Sequence, residues 1–289
     1  MQRSPSALPV RIAAALVTLS LMAAHAQSPP AAPPASAARV KQANAASIGD
    51  TLLAKATALY ASTAKSGLRG FDCRVHPDWE KIKASSRKGA PVAGSNSEIA
   101  LLNTVKITLH ARFDGDSTVD WVVPDGKSLE PSSSALLDQA HRGIEQTLKG
   151  ALKLWIPLID GSVAESLGAE DVDITQNGNG YRVRSRDERH SLTEEFDREL
   201  MLTHYVIGNA GSVVDIAPAF QSTSDGMLLS SFVARVQPTD SPGEKAQEIH
   251  FSVEYQDVSG LKIPGKLAVE VPHEVTMDFV LDGCTVKLK

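Results

Sequence analysis

Much of the chain after residue 171 alternates apolar and polar residues with a period of two, the pattern of strands with one face in water. The clearest run covers residues 249–255. The same alternation recurs at residues 105–113, 181–186, 267–271 and 277–281. Turn sequences such as Asp225-Gly226 and Ser259-Gly260 separate the later runs without intervening helices. Such spacing requires antiparallel hairpins, and we expect about nine or ten strands.

Two earlier segments show the period of an amphipathic helix instead. The first covers residues 45–65 and stops before Gly67. The second lies between Pro131, which suits a first helical turn, and Pro157, which ends a helix. Its apolar residues recur at every third or fourth position: Leu136, Ala140, Ile144, Leu148, Leu152 and Trp155. Each helix therefore needs an apolar surface that it can cover with one face.

One-sided strands and one-sided helices together predict the fold class. The dry side of the sheet must be buried by a second sheet or by the helices, and the helices themselves need a partner. We therefore predict an α+β fold: a single large curved antiparallel β-sheet (a half-barrel) with the helices packed on its concave face. A sandwich of two sheets with peripheral helices is the alternative.

The same apolar positions form the candidate ligand site. A wide curved sheet leaves an apolar cavity wherever the helices do not fill its concave side. The candidate lining residues come from the second helix and from the strand at 249–255: Leu136, Ile144, Leu148, Leu152, Trp155, Phe251 and Tyr255. Alternatively, these side chains are simply core, which is the commoner role of such apolar stripes.

The N-terminus has the features of a cleaved secretory signal peptide over residues 1–26. Arg3 and Arg11 supply the positive charge, and residues 12–24 form an apolar core too short to span a bilayer. Ala24-His25-Ala26 provides the small residues of a cleavage site after Ala26. We expect a soluble periplasmic or secreted protein after cleavage, and a retained membrane anchor is the alternative.

Composition changes this picture only in part. The 289 residues carry a formal charge of −5, and removal of residues 1–26 leaves 27 basic against 34 acidic side chains, a net charge of −7. This acidity excludes a general nucleic-acid binder, which needs a basic surface. Residues 27–39 are a Pro/Ala-rich spacer that cannot form a core, so residues 40–289 are expected to form one domain.

The two cysteines, Cys73 and Cys284, lie near opposite ends of this domain. In an oxidising compartment an even number of cysteines favours a disulfide between them. Two buried free thiols, packed as small apolar groups, are the alternative. We favour the disulfide on the compartment and the even number alone.

Motifs for catalysis, metals or cofactors each fail at a specific position. The chain contains no H-E-x-x-H and no G-x-S-x-G sequence. Residues 125–128 end like a phosphate loop but lack its first glycine, and residues 114–125 resemble an EF-hand except that Val119 replaces the required glycine. One acidic group is interpreted as solvated surface: Glu194, Glu195, Asp197 and Glu199. We therefore predict no catalytic residue, no metal site and no cofactor.

One stretch near the C-terminus resembles a known family. Residues 254–264 place Tyr255 on a penultimate strand, Gly260 in the following turn and Ile263-Pro264 at the opening of the next strand. Together with the signal peptide, the N-terminal helix and the long β-meander, this stretch resembles the periplasmic lipoprotein-carrier (LolA/LppX-like) half-barrels. The resemblance implies a curved sheet, a helical lid and an apolar cavity for acyl chains. Lipoprotein transport is not implied, because the family's lipoprotein-handling arginine matches no residue here.

The functional expectation is an exported, non-catalytic protein that binds a lipid or another apolar ligand between sheet and helices. An acyl chain and an envelope protein are the expected partners. One alternative is an envelope interaction or sensor module with a filled core. Another is an envelope hydrolase, which predicts a cleft where a His and a carboxylate converge. Wide separation of His110, His204 and His250 would remove this alternative.

Overall fold

The structure, a computed structural model, describes most of the predicted domain. The predicted signal peptide (1–26), the spacer (27–39) and the loop at 125–128 lie outside the described residues. The described ranges are 50–61, 66–85, 96–113, 115–123, 131–160, 162–168, 172–178, 180–186, 191–239 and 245–289.

The secondary structure is mainly β, with helices before and between the first strands. The helices are α1 (50–59), α2 (Trp79–Ser85), α3 (Asn96–Leu102), α4 (Pro131–Trp155) and α5 (Ser162–Glu165), with 3-10 turns at Ile156–Leu158 and Ser166–Gly168. The strands are β1 (Leu68–Pro77), β2 (Lys106–Arg112), β3 (Thr118–Val122), β4 (Asp173–Asn177), β5 (Gly180–Arg186), β6 (Ser191–Asp197), β7 (Leu202–Gly208), β8 (Ser212–Thr223), β9 (Gly226–Pro238), β10 (Gln247–Val258), β11 (Leu261–Val271) and β12 (Val275–Leu288).

These strands form one antiparallel sheet in the order β3-β2-β1-β12-β11-β10-β9-β8-β7-β6-β5-β4. The predicted single antiparallel sheet is therefore confirmed, and the alternative of two packed sheets is wrong. The sheet is not closed, because β3 and β4 form its two edges. The number of strands is twelve instead of nine or ten. Both edge strands have only five residues, too few to show a clear period in the sequence.

The first and last strands are neighbours in the sheet. Leu68 of β1 lies opposite Leu288 of β12, and the pairing extends to Pro77 and Phe279. The register shifts within this pair, at a bulge in β12 that contains Gly283 in the left-handed region (φ 54°). The predicted disulfide between Cys73 and Cys284 joins the two strands at this bulge and is confirmed.

Helix α4 connects the two edges of the sheet across one face. The helix has the predicted extent, from Pro131 to the residue before the Ile156–Leu158 turn. The Thr147 hydroxyl, on the same side as the buried stripe, is 3.6 Å from the sulfur of Met277 on β12. Six residues earlier on the helix, His141 stacks on Trp121 of β3 at a ring distance of 5.1 Å. The chain thus leaves the sheet at β3, crosses its apolar face and returns at β4.

The first helix is shorter than the sequence predicts. It ends at residue 59, not at residue 65, because Tyr60 forms a parallel bridge with Met227 of β9. The Tyr60 hydroxyl donates to the carbonyl of Leu200 at 2.9 Å and accepts from the N–H of Leu202 at 2.6 Å. Backbone and side-chain bonds to the sheet therefore replace the continuation of the helix. Among the described residues, no helix combines the length and the hydropathy needed to cross a bilayer.

Two glycine substitutions test the packing of this fold. A Cβ atom at Gly70 of β1 would lie 2.2 Å from the carbonyl oxygen of Ala111 on β2, whereas at Gly143 of α4 it would meet nothing within 4 Å. We expect Gly70→Ala to lower the free energy of unfolding by about 1–3 kcal/mol. Gly143→Ala, the matched control, should raise it by about 0.5–1 kcal/mol because alanine favours the helix. Urea unfolding measures both, and equal effects would contradict the described approach of β1 to β2.

Candidate functional site

The seven predicted lining residues all belong to the hydrophobic core cluster, which also contains residues of the other helices and of most strands. Leu148 is 0 % exposed, and Leu152 and Trp155 are each 1 % exposed. Two more of the seven lining residues, Ile144 and Phe251, are also buried. The remaining two, Leu136 and Tyr255, are partly buried. Helical spacing on α4 and alternation on β10 place them on facing surfaces, so their predicted proximity follows from the two periods. Their role as ligand lining stays a prediction.

Trp155 makes the largest number of ring contacts in this cluster. Its ring lies 6.3 Å from that of Phe71, 6.2 Å from that of Phe113 and 6.5 Å from that of Tyr255. The indole N–H donates to the Tyr255 hydroxyl at 3.2 Å, and that hydroxyl donates to the carbonyl of Leu229 at 2.7 Å. Burial raises the pKa of Tyr255, so the phenol stays protonated as a donor.

Phe251 lies in a different part of the cluster. Its ring stacks on Phe232 of the neighbouring strand β9 at 4.7 Å. The structure therefore brings Trp155 and Tyr255 into direct contact, while Phe251 packs among sheet residues.

A half-open cleft of about 540 Å³ lies where the C-terminal end of α4 meets the β2–β3 connection. Phe113, Ile156 and Pro157 give it apolar walls, and its charged residues come from both the strand and the helix. The described lining residues are Arg112, Phe113, Gly115, Asp116, Ser117, Thr118, Lys149, Lys153, Ile156 and Pro157. Its volume lies within the roughly 300–1,000 Å³ typical of small-molecule sites.

Phe113 joins this cleft to the buried cluster. Its half-buried ring lines the cleft and also contacts the rings of Phe71 and Trp155, at 6.3 and 6.2 Å. The backbone N–H of Phe113 donates to the carbonyl of Arg69, so the ring is held at the end of the β1–β2 pair. Phe113 therefore lies between the cleft and Trp155 and is in contact with both.

Arg112 is held by several hydrogen bonds at the mouth of the cleft. Its guanidinium donates to the carbonyl of Ala111 at 2.7 Å and pairs with Asp72 at 2.8 Å. Asp72 also contacts His110 at 2.8 Å and Lys287 at 3.0 Å. Burial alone would raise the pKa of Asp72, but the hydrogen bonds from His110, Lys287 and Arg112 lower it to about 2. Asp72 is therefore ionised at neutral pH.

Glu194 corrects the interpretation of the acidic group as solvated surface. Its side chain is 1 % exposed, because β6 alternation turns Glu194 and Phe196 inward and leaves Glu195 to pair with Arg182 at 2.7 Å. Among the described residues, Glu194 Oε2 has no hydrogen-bond partner. Burial raises the pKa of Glu194 to about 7, against a smaller lowering effect of a hydrogen bond with Ser166. Glu194 lies opposite Tyr205 on β7.

The three histidines considered for a hydrolase site do not come together. His110, His204 and His250 lie on β2, β7 and β10, with at least two strands between any two of them in the sheet. Each contacts its own carboxylate: Asp72 and Asp120 for His110, Asp215 for His204 and Glu248 for His250. A site shared by these three histidines is therefore excluded. Among the described residues, no three His, Cys, Asp or Glu side chains are grouped as metal ligands.

The cleft was not among the predicted sites. One signal for it is present in the sequence: Lys149 and Lys153 are four residues apart on the polar face of α4, close to Pro157, where the helix ends. The helical pattern could not show that the end of α4 meets the β2–β3 connection, because the two are distant in the sequence.

Comparison of the chain with protein-family models, curated proteins and solved structures finds no significant match.

Proposed function

We propose that this protein is an exported binding protein for a lipid or another apolar ligand, held between the sheet and its helices. The observation that carries the proposal is the continuity between the cleft and the buried aromatic cluster. Phe113 belongs to both, so an acyl chain that displaced this one ring would reach Trp155 and Tyr255. No catalytic step is part of the proposal.

A curved sheet with the helices on its concave face is the arrangement that suits this role. Trp155 contacts Phe71 on β1 and Tyr255 on β10, and these strands are three places apart in the sheet. Trp155 therefore contacts both outer strands of the run β1-β12-β11-β10, which is the part of the sheet that we propose curves around the end of α4.

The N-terminal sequence and the disulfide support export. Residues 1–26 have the charge, apolar core and cleavage site of a signal peptide. The disulfide between Cys73 and Cys284 is compatible with an oxidising compartment. The resemblance of residues 254–264 to lipoprotein-carrier half-barrels points to the same compartment, and Tyr255 within it is the residue that accepts from Trp155.

The burial of the predicted lining residues favours a second candidate, an envelope interaction or sensor module with a filled core. Leu148, Leu152 and Trp155 are at most 1 % exposed. If they never separate from the sheet, no acyl chain enters. The two candidates therefore differ in whether Trp155 is ever in contact with a bound ligand.

Tryptophan quenching by brominated lipids tests the proposal at this residue. The chain has three tryptophans, so a Trp79→Phe/Trp121→Phe variant keeps Trp155 as the single emitter. We expect dibromostearic acid, or its neutral glycerol monoester, to quench Trp155 saturably, because bromine quenches only at short range. In the same background, Phe113→Trp would add a second emitter, so we use Phe113→Tyr, whose hydroxyl should weaken entry of an acyl chain.

Phe220→Tyr is the matched control, because Phe220 is also half-buried and contacts an aromatic ring, that of Tyr60 at 5.2 Å. It should leave quenching unchanged. A lack of saturable quenching by both lipids, together with a lipid-free organic extract of protein purified without detergent, would reject ligand binding and favour the filled-core module. Equal effects of the Phe113 and Phe220 substitutions would remove the cleft as the entrance.

A further inference from the structure

The cleft has an uneven charge that an apolar ligand alone does not explain. Among the residues that the structure describes, its lining contains three basic residues, Arg112, Lys149 and Lys153, and one acidic residue, Asp116. The protein as a whole is acidic, with a formal charge of −5. Basic residues from β2 and from α4 thus meet at one point of an otherwise acidic molecule.

The partners of Lys149 and Arg112 leave both side chains able to bind a further anion. Lys149 pairs with Glu145 one helical turn away at 2.7 Å, and both side chains are about one-third exposed. Such pairs contribute only about 0.5 kcal/mol, so an incoming anion can share the ammonium group at little cost. Arg112 shares the single carboxylate of Asp72 with Lys287, which leaves that group of three with a net positive charge.

The hydroxyl groups of the cleft suit the same kind of ligand. Ser117 Oγ accepts a hydrogen bond from the backbone N–H of Arg112 at 3.2 Å, so the Ser117 O–H can donate to a ligand. Thr118 adds a second hydroxyl beside it in the lining. Ammonium, guanidinium and hydroxyl donors together are the groups that bind carboxylates and phosphates.

The apolar walls add a second requirement. Phe113, Ile156 and Pro157 lie in the same cleft as the basic residues. A free inorganic anion would use the donors and leave these walls in water, whereas an amphiphile uses both.

We propose that the cleft is the headgroup subsite of the lipid site and binds the anionic end, a carboxylate or phosphate, of an acyl ligand. The proposal rests on the proposed function, because the acyl chain continues past Phe113 toward Trp155. Lys149 and Lys153 hold the anion from the helix, Arg112 from the strand, and the Ser117 hydroxyl donates from the connection between β2 and β3.

Charge reversal on α4 tests this subsite with the same quenching assay. In the Trp155-only background, Lys149→Glu/Lys153→Glu should weaken binding of dibromostearic acid by about tenfold or more at low salt. Binding of the neutral glycerol monoester should stay unchanged. Lys262→Glu/Lys266→Glu is the matched control: it reverses two lysines that also pair with carboxylates, Asp257 and Glu254, and changes the net charge equally.

The outcomes separate this inference from the proposed function. Equal affinity for the acid and the monoester, or equal weakening by the two double variants, would overturn the anionic subsite while ligand binding stands. Quenching by neither lipid would overturn both. Inorganic phosphate is the third arm: if calorimetry shows phosphate binding that Lys149→Glu/Lys153→Glu abolishes, but phosphate does not compete with the acid, the cleft takes a free anion and the headgroup assignment fails. Competition by phosphate supports it.

Discussion

Glu194→Gln should make the protein more stable at pH 8 than the unmodified protein, by on the order of 3 kcal/mol, and should change its stability little at pH 4. The folded protein keeps the Glu194 proton up to a pKa of about 7, whereas an unperturbed glutamate releases it near 4.5. Between these values the folded state binds more protons, so the free energy of unfolding falls as the pH rises. Above pH 7 the full cost of burying the charge remains.

The neutral amide of glutamine never ionises, so the variant avoids this cost. Urea unfolding of both proteins at pH 4, 6 and 8 measures the difference, which should appear mostly between pH 4.5 and 7. Glu195→Gln is the matched control, because its side chain is one-third exposed and pairs with Arg182. It should cause only a small loss of stability, because a partly exposed pair such as Glu195–Arg182 contributes little. A constant difference between the Glu194 variant and the unmodified protein across the series would show that Glu194 is not held in its neutral form.

Removing the disulfide should cause the largest loss of stability. The bond closes a loop with a sequence separation of 211 residues between Cys73 and Cys284. The chain-entropy relation gives about 5 kcal/mol for such a loop. The Cys73→Ala/Cys284→Ala variant should therefore melt on the order of 10 °C below the unmodified protein, since about 2–4 °C is lost per kcal/mol at this chain length.

Single substitutions provide the control for this experiment. Cys73→Ala or Cys284→Ala alone should cost nearly as much as both together, because either one removes the same covalent bond. Reduction of the unmodified protein should give the same melting temperature as the double variant. Cys73 is 1 % exposed, so loss of its packing alone would affect Cys73→Ala more than Cys284→Ala. Additive effects of the two substitutions would contradict a stabilising bond.

Local periodicity predicted the elements whose packing is one-sided. The stripe of α4 and the alternation of β10 are visible in the sequence because each has one buried face. The end of α1 could not be predicted, because it depends on Tyr60 bonding to Leu200 and Leu202, some 140 residues away. The short edge strands β3 and β4 depend on a neighbour for their conformation and carry little pattern of their own.

Charge was harder to interpret than hydrophobicity. The rule that acidic residues are solvated holds for Glu195 but not for Glu194, although the two are adjacent. Phe196 of β6 points into the core, and Glu194, two residues earlier on the same strand, therefore points to the same buried face. Trp155 and Tyr255 come into contact from two regular elements, α4 and β10, whereas the cleft joins Lys149 and Phe113 from elements with no shared pattern.

The pairing of β1 with β12 also determines the order in which the chain can fold. Strands β4 to β12 pair with their sequence neighbours, so each hairpin can form soon after its second strand is synthesised. Within the described sheet, the β1–β3 segment pairs with this meander through β12, which is made after all the other described strands. Loop closure over about 200 residues must therefore precede completion of the sheet. Until then β1 has an open edge, and the newly synthesised chain is most exposed to aggregation at this strand.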